Sequence, residues 1–283
     1  MSNLNFTAMK RTSLIFAAGL MLMAAFTLSS CQKDEVVDPV VSLANEDADV
    51  DTYYDDVMTE VDEITLAGDS KDSQLMYATL GGQGTRTRKT SWDGNCRIDS
   101  LTYENFVNAN SRYERVKNGL IVIRTCGQYN GAEFERTVTF KNFTINGNLI
   151  EGTKQIRKTA EHEYQITLTD GKITFTDGTT YTRNVERTRT WVEGYDTPFN
   201  IWDDVYTLEG VATGVNRRGY TYTHQITSAL MFKLSCRWLV QGVIELTVGD
   251  KQATIDYGNG ECDNIAYVTA NGKTYEVKLR GGK

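Results

Sequence analysis

The sequence predicts an all-β protein: an antiparallel β-meander of about 10–14 strands, preceded by one short N-terminal amphipathic helix. Three observations carry this. From about Met76 the hydrophobic period becomes two, in a chain rich in Thr, Tyr, Val, Ile and Phe. Turn dipeptides recur at short intervals: Asn118-Gly119, Asn130-Gly131, Asn146-Gly147, Asp170-Gly171, Asp177-Gly178, Arg218-Gly219, Gly249-Asp250 and Asn271-Gly272. Such pairs supply the positive φ that tight hairpin turns need. Proline, which cannot donate to a ladder, occurs only twice in 283 residues.

The first element is a leader. Lys10 and Arg11 precede an apolar run from Leu14 to Leu28. About fifteen residues suit a secretory h-region and are too few to span a bilayer comfortably. Residues 1–30 therefore read as a lipoprotein signal peptide, because Leu28-Ser29-Ser30-Cys31 looks like a bacterial lipobox. Cys31 is the expected lipidation site, and its acyl chains the expected membrane partner. Two or three chains hold firmly, at roughly 0.8 kcal/mol per buried CH₂. Gln32-Lys33-Asp34-Glu35 follows. Its acidic pair resembles the export signal of Bacteroidota surface lipoproteins, which implies an outward-facing outer-membrane address.

Residues 31–70 read as a lipidated acidic tether. Residues 32–70 carry Lys33 against thirteen Asp and Glu, a charge of −12. The whole chain is −7, and Lys10 and Arg11 contribute +2, so residues 71–283 are left with +3. No basic patch or nucleic-acid motif stands out, so a nucleic-acid partner is excluded. Val50, Tyr54, Val57, Val61 and Ile64 fall on one helical face, predicting a helix over about 48–67 that docks its stripe on a neighbour. Gly68 follows as a stop, and acidic residues fill the other faces. Residues 32–45 read as a flexible spacer.

Residues 71–283 are the antiparallel β domain, as an extended curved sheet, a sandwich or a barrel. Tyr164, Ile166 and Leu168 point to one face; Gln165, Thr167 and Thr169 point to the other. Val138 and Phe140 share a face, but Phe143 and Ile145 have the opposite parity, which predicts a bulge near Asn142. Ile226 and Leu230 mark one inward face, and Leu239–Val248 reads as a central strand. The strand over Thr179–Glu193 is unusual: Tyr181, Arg183, Val185, Arg187, Arg189 and Trp191 share a face. Either this strand extends beyond the core, or its Arg and Thr side chains join cross-strand ladders, or its three arginines form a face for an anionic ligand.

The leader implies an oxidising route, so Cys96, Cys126, Cys236 and Cys262 are free to form disulfides. Four cysteines allow three connectivities. A hairpin centred on Gly249-Asp250 would bring Cys236 nearly opposite Cys262, leaving Cys96 with Cys126. Without CxxC spacing, a Cys₄ zinc site is not expected.

Candidate chemistry is sparse. His162 and His224 each lie in a run of alternating strand residues, away from any nucleophile motif or second metal ligand in sequence. Asp203-Asp204 is the one suggestive acidic pair for a glycosidase, and it reads more simply as a turn. Asp256, Asn259, Glu261 and Asp263 lie in an oxygen-rich, glycine-bent loop that could hold Ca²⁺, without EF-hand spacing. No cofactor is implied. Trp191, Tyr195 and Trp202 cluster around Gly194–Pro198 and could stack on a sugar. Asp99-Ser100-Leu101 matches a short bacterial O-glycosylation pattern.

Trp191-Val192-Glu193-Gly194, Ser235-Cys236-Arg237-Trp238 and the run Ile255–Asn264, with the lipobox upstream, resemble uncharacterised Bacteroidota lipoproteins built of β-hairpins. The resemblance covers about Lys89 to Leu279 and implies the address and an all-β fold; it implies no activity and no catalytic residue. The leading expectation is a non-enzymatic, surface-exposed lipoprotein with a binding or envelope-structural role, and an envelope protein or glycan as partner. A glycan-binding accessory protein of a polysaccharide-uptake system comes second, and a hydrolase with paired carboxylates third.

Overall fold

The computed structural model describes residues 39–66, 83–108, 113–128, 131–197, 200–236 and 238–279. A helix, α1 (Pro39–Leu66), precedes thirteen strands. These are β1 (Gln83–Asp93), β2 (Cys96–Val107), β3 (Val116–Cys126), β4 (Glu135–Ile145), β5 (Asn148–Ala160), β6 (Glu163–Thr174) and β7 (Thr180–Glu193). After a 3-10 turn at Ile201–Asp203 come β8 (Val205–Val215), β9 (Thr221–Lys233), β10 (Leu239–Val248), β11 (Lys251–Asn259), β12 (Ile265–Ala270) and β13 (Lys273–Lys278). All pair antiparallel in chain order within one sheet, which is not closed. The expected meander is present, and of the three forms the open single sheet is the one found.

The sheet curls. Strands lie about 4.8 Å apart, so thirteen laid flat would span roughly 58 Å. A helix about 10–12 Å across cannot cover such a face. Yet every strand from β2 to β12 contributes a buried apolar side chain to one core that also holds Val50, Tyr54, Val57 and Val61 of α1. Inward faces therefore cover one another around the helix. The outer face stays wet, as the alternating exposure of β9 and β10 shows.

Bulges help the strands bend. Each neighbouring pair from β1 to β11 carries a register shift. The predicted slip at Asn142 is one of them: φ is 50° there, the β4–β5 register breaks between Thr139 and Thr144, and Val138, Phe143 and Ile145 all point inward. Two predicted turns prove to be bulges as well. Asn118-Gly119 lies within β3 and Asp170-Gly171 within β6. Positive φ serves a bulge as well as a turn, so the dipeptide alone does not distinguish them. Asn146-Gly147, Asp177-Gly178, Arg218-Gly219, Gly249-Asp250 and Asn271-Gly272 do link successive strands; Asn130 lies outside the described residues. His162 is corrected too: it occupies the turn between β5 and β6 at φ 59°, not a strand.

The helix also departs from expectation. It starts at Pro39, so residues 39–45 are helical and not spacer. Proline is tolerated in a first turn, where the missing N–H costs no helical bond. The stripe residues Val50, Tyr54, Val57 and Val61 are buried as expected, whereas the side chain of Ile64 and the residue Gly68 lie outside the described set, with the lipobox, Cys31 and Met76. The acidic faces are solvated only in part: Asp55 is exposed, but Asp47, Asp56 and Glu60 are buried.

Candidate functional site

Burying a carboxylate is costly unless a charge meets it, and the sheet supplies those charges from strands far apart in sequence. Arg183 of β7 donates to Asp47 at 2.6 Å and to Asp51 at 2.7 Å. Arg187, four residues further along the same face, donates to Asp51 at 3.1 Å. His224 of β9 sets Nδ1 2.5 Å from Asp47, and the Tyr181 hydroxyl donates to Asp47 at 2.9 Å. Further along α1, the Lys117 ammonium of β3 bonds Asp56 at 2.9 Å and Glu60 at 2.8 Å. Glu60 also receives Arg86 of β1 and, at 3.0 Å, the Asn108 amide.

These contacts set the electrostatics. Burial pushes the carboxyl groups of Asp47, Asp51 and Glu60 up, and the cations beside them outweigh it. Arg183 with His224, Arg183 with Arg187, and Lys117 with Arg86 respectively hold the three groups below their ordinary values. Burial pushes the Tyr222 hydroxyl, beside Arg183, up to about 12. The ligand atoms of Asp47, Asp51 and His224 lie within 4.8 Å of one another, a donor set that superficially suits a metal. Two guanidiniums already face those carboxylates, so a further cation would meet repulsion. Arg183 and Arg187 of the arginine face predicted on β7 thus have their anions within the chain, while Arg189 lies over the Tyr164 and Tyr206 rings. Sequence reasoning missed the pairing because Asp47 and Arg183 are 136 positions apart.

The other candidates separate. Trp191 is buried, stacked on Tyr206 with centroids 5.6 Å apart, so it offers no open face of a platform. Tyr195 is 46% exposed and stacks on His162 at 4.0 Å, while Trp202 is 66% exposed on the 3-10 turn. Asp203 accepts from the Thr197 hydroxyl, and Asp204 accepts from Tyr206 and is raised by burial. In the proposed calcium loop, Asp256, Asn259 and Asp263 each accept a backbone N–H two residues on. Among the described residues, no cluster of metal-donor atoms gathers Asp256, Glu261 and Asp263. Asp99 is buried and held by Arg88 and Arg97 at 2.8 and 2.9 Å, and Leu101 is buried, in mid-strand of β2.

Cys96 bonds Cys126 and Cys236 bonds Cys262. The first pair is directly opposite in the β2–β3 register; the second follows from the β10–β11 hairpin, whose register begins at Val248 opposite Lys251.

One further feature escaped the sequence. A groove of about 1090 Å³ lies between the first half of α1 and the turns entering β3, β5, β7 and β9. Ser42, Asn45, Glu46 and Thr52 line one side and Arg115, Asn146, Thr179, Arg217 and Arg218 the other, with Tyr53, Tyr113 and Phe175 among them. Arg217 lies 4.0 Å over the Phe175 ring and is paired with Asp177. Glu46, 3.9 Å from Arg217, is raised by burial in spite of that neighbour. Its parts come from five separated segments, so no local motif announces it. Comparisons with protein families, with curated proteins and with solved structures find no match.

Proposed function

We propose that the chain is a non-enzymatic lipoprotein, anchored in the outer membrane through lipid on Cys31 and facing outward, with a binding or envelope-structural role. The observation that carries this reading is Leu28-Ser29-Ser30-Cys31, set behind Lys10, Arg11 and the apolar run. The non-enzymatic part draws support from the ionic groups of the core: Asp47, Asp51, Asp56, Glu60, Arg183 and Lys117 are committed to holding α1 in the sheet. Cys31→Ala is expected to release the protein from the membrane fraction, and protease added to intact cells is expected to degrade the native form. A Cys31→Ala chain that stays with the outer membrane would count against the anchor; full protection from protease would count against the outward face.

A second reading, capture of a glycan at Tyr195 and Trp202 without the buried Trp191, is favoured by the exposure of those two rings on the β7–β8 connection. Stacking on sugar needs such open ring faces. Loss of glycan-array binding in Trp202→Ala would support it, and unchanged binding would remove that site.

A further inference from the structure

The basic side chains that meet α1 fall into two groups. Arg86, Lys117, Arg183, Arg187 and Arg217 each face a carboxylate of the helix. Arg115 and Arg218 touch the helix only at neutral oxygens: Arg115 at the Thr52 carbonyl and hydroxyl, 3.0 and 2.7 Å, and Arg218 at the Ser42 hydroxyl, 3.3 Å. Among the described residues neither forms an ion pair, and both line the groove of about 1090 Å³.

Arg115 is held firmly for a side chain without a counter-ion. Its guanidinium lies 4.3 Å from the Tyr53 ring centre and 4.4 Å from that of Tyr113. A guanidinium has five N–H donors in a fixed fork, and the two bonds to Thr52 leave three for a ligand. A fork clamped between two rings loses little freedom when it grips an oxyanion, and bidentate Arg–oxyanion bonds are among the strong ones.

The remaining lining says what else the ligand carries. The groove is far larger than one oxyanion needs, and matches the size of small-molecule sites. Ser42, Asn45 and Asn146 bring a hydroxyl and amides, and Glu46, Asp49 and Glu114 bring carboxylates, whereas the Thr52 and Thr179 hydroxyls are already bonded, to the Asp49 carbonyl and Arg115 and to Asp177 and Arg217 respectively. Those carboxylates would repel a densely anionic ligand but accept from sugar hydroxyls. A neutral sugar would leave Arg115 without a counter-charge, and Arg218 with only the Glu46 carboxyl, which it shares with Arg217. We propose that this groove binds an acidic saccharide, whose carboxylate, sulfate or phosphate sits on Arg115 and Arg218 and whose hydroxyls bond the amides and carboxylates around it. The proposal does not depend on the lipid anchor or on Trp202.

The test uses the purified full chain on an array of uronic-acid, sulfated, phosphorylated and neutral oligosaccharides. Trigalacturonate, maltotriose and inorganic sulfate are then titrated as acidic, neutral and bare-anion probes. Wild type, Arg115→Gln, Arg218→Gln and Trp202→Ala are compared, with thermal unfolding run on each. Arg218 is exposed, so Arg218→Gln keeps the test alive if Arg115→Gln unfolds. The expected result is binding of acidic but not neutral sugars, at least tenfold weaker in Arg218→Gln and unchanged in Trp202→Ala. The proposal is overturned if no acidic glycan binds, if neutral and acidic sugars bind alike, or if sulfate alone binds as tightly as the saccharide. Binding lost in Trp202→Ala but kept in Arg218→Gln would also overturn it.

Discussion

Lys117→Met is the most informative single change. The Lys117 side chain is fully buried and its ammonium is shared by Asp56 and Glu60, both of which are also fully buried. Methionine keeps much of the volume, so the loss is chiefly of charge. Removing one partner of a buried pair costs about 3–5 kcal/mol, and at 0% exposure solvent screening does not reduce it. For a chain of this size that corresponds to roughly 6–20 °C in Tm. The pH dependence separates this cause from poor packing. In the native protein burial pushes the Glu60 carboxyl up, but Lys117 and Arg86 hold it below its ordinary 4.5. A depressed carboxyl contributes stability above its unfolded value, and that contribution is lost as pH falls through the folded value. Without the ammonium, the Glu60 carboxyl loses the largest charge that lowers it and shifts upward, so it takes up a proton at higher pH than in the wild type, which relieves the repulsion with Asp56. Guanidinium unfolding followed by tryptophan fluorescence should therefore show a larger deficit at pH 7.5 than at pH 4.5. A cost below about 1 kcal/mol, the median for exposed pairs, or one equal at both pH values, would refute the reasoning.

Three other outcomes follow from the same structure. Gly119→Ala should destabilise by more than about 1–3 kcal/mol, since φ is +97° and the new methyl would fall on the Asn142 carbonyl oxygen; urea unfolding checks it, and a neutral result would mean the bulge can relax. Cys236→Ala with Cys262→Ala opens a loop of sequence separation 26 and should cost about 3–4 kcal/mol in urea unfolding, and reductant acting on the wild type, which opens Cys96–Cys126 as well, should cost more. Ile121→Ala removes a side chain at 0% exposure and should cost about 2–5 kcal/mol in the same assay.

What the sequence made legible was what local rules govern. Period-two alternation located the strands because one face of the sheet is dry and the other wet. The parity break between Phe140 and Phe143 located the bulge at Asn142 before any coordinates, because a slip of one residue would otherwise turn Phe143 outward. The hairpin register at Val248–Lys251 located the disulfide between Cys236 and Cys262, which stand nearly opposite across its centre, by the same logic. What remained hidden depends on contacts between distant segments. Asp47 and Asp51 look like solvated tether until Arg183, more than 130 positions later, is brought beside them. The arginine stripe of β7 looks like a ligand face until α1 is laid against it. The groove around Arg115 is assembled from turns that share no spacing at all.

The acidity of α1 therefore has a structural reading that composition alone inverts. An apolar helix would cover the curled sheet with less desolvation, so ion pairs are weak evidence for added stability. They do fix position. Acids at 47, 51, 56 and 60 recur at about one helical turn and face bases from two parts of the sheet: the first pair meets β7 and β9, the second β3 and β1. Sliding α1 by half a turn would set Val50 or Val57 against a guanidinium and leave a carboxylate against apolar side chains. The charges thus permit one register of helix in sheet, where a purely apolar stripe would tolerate several.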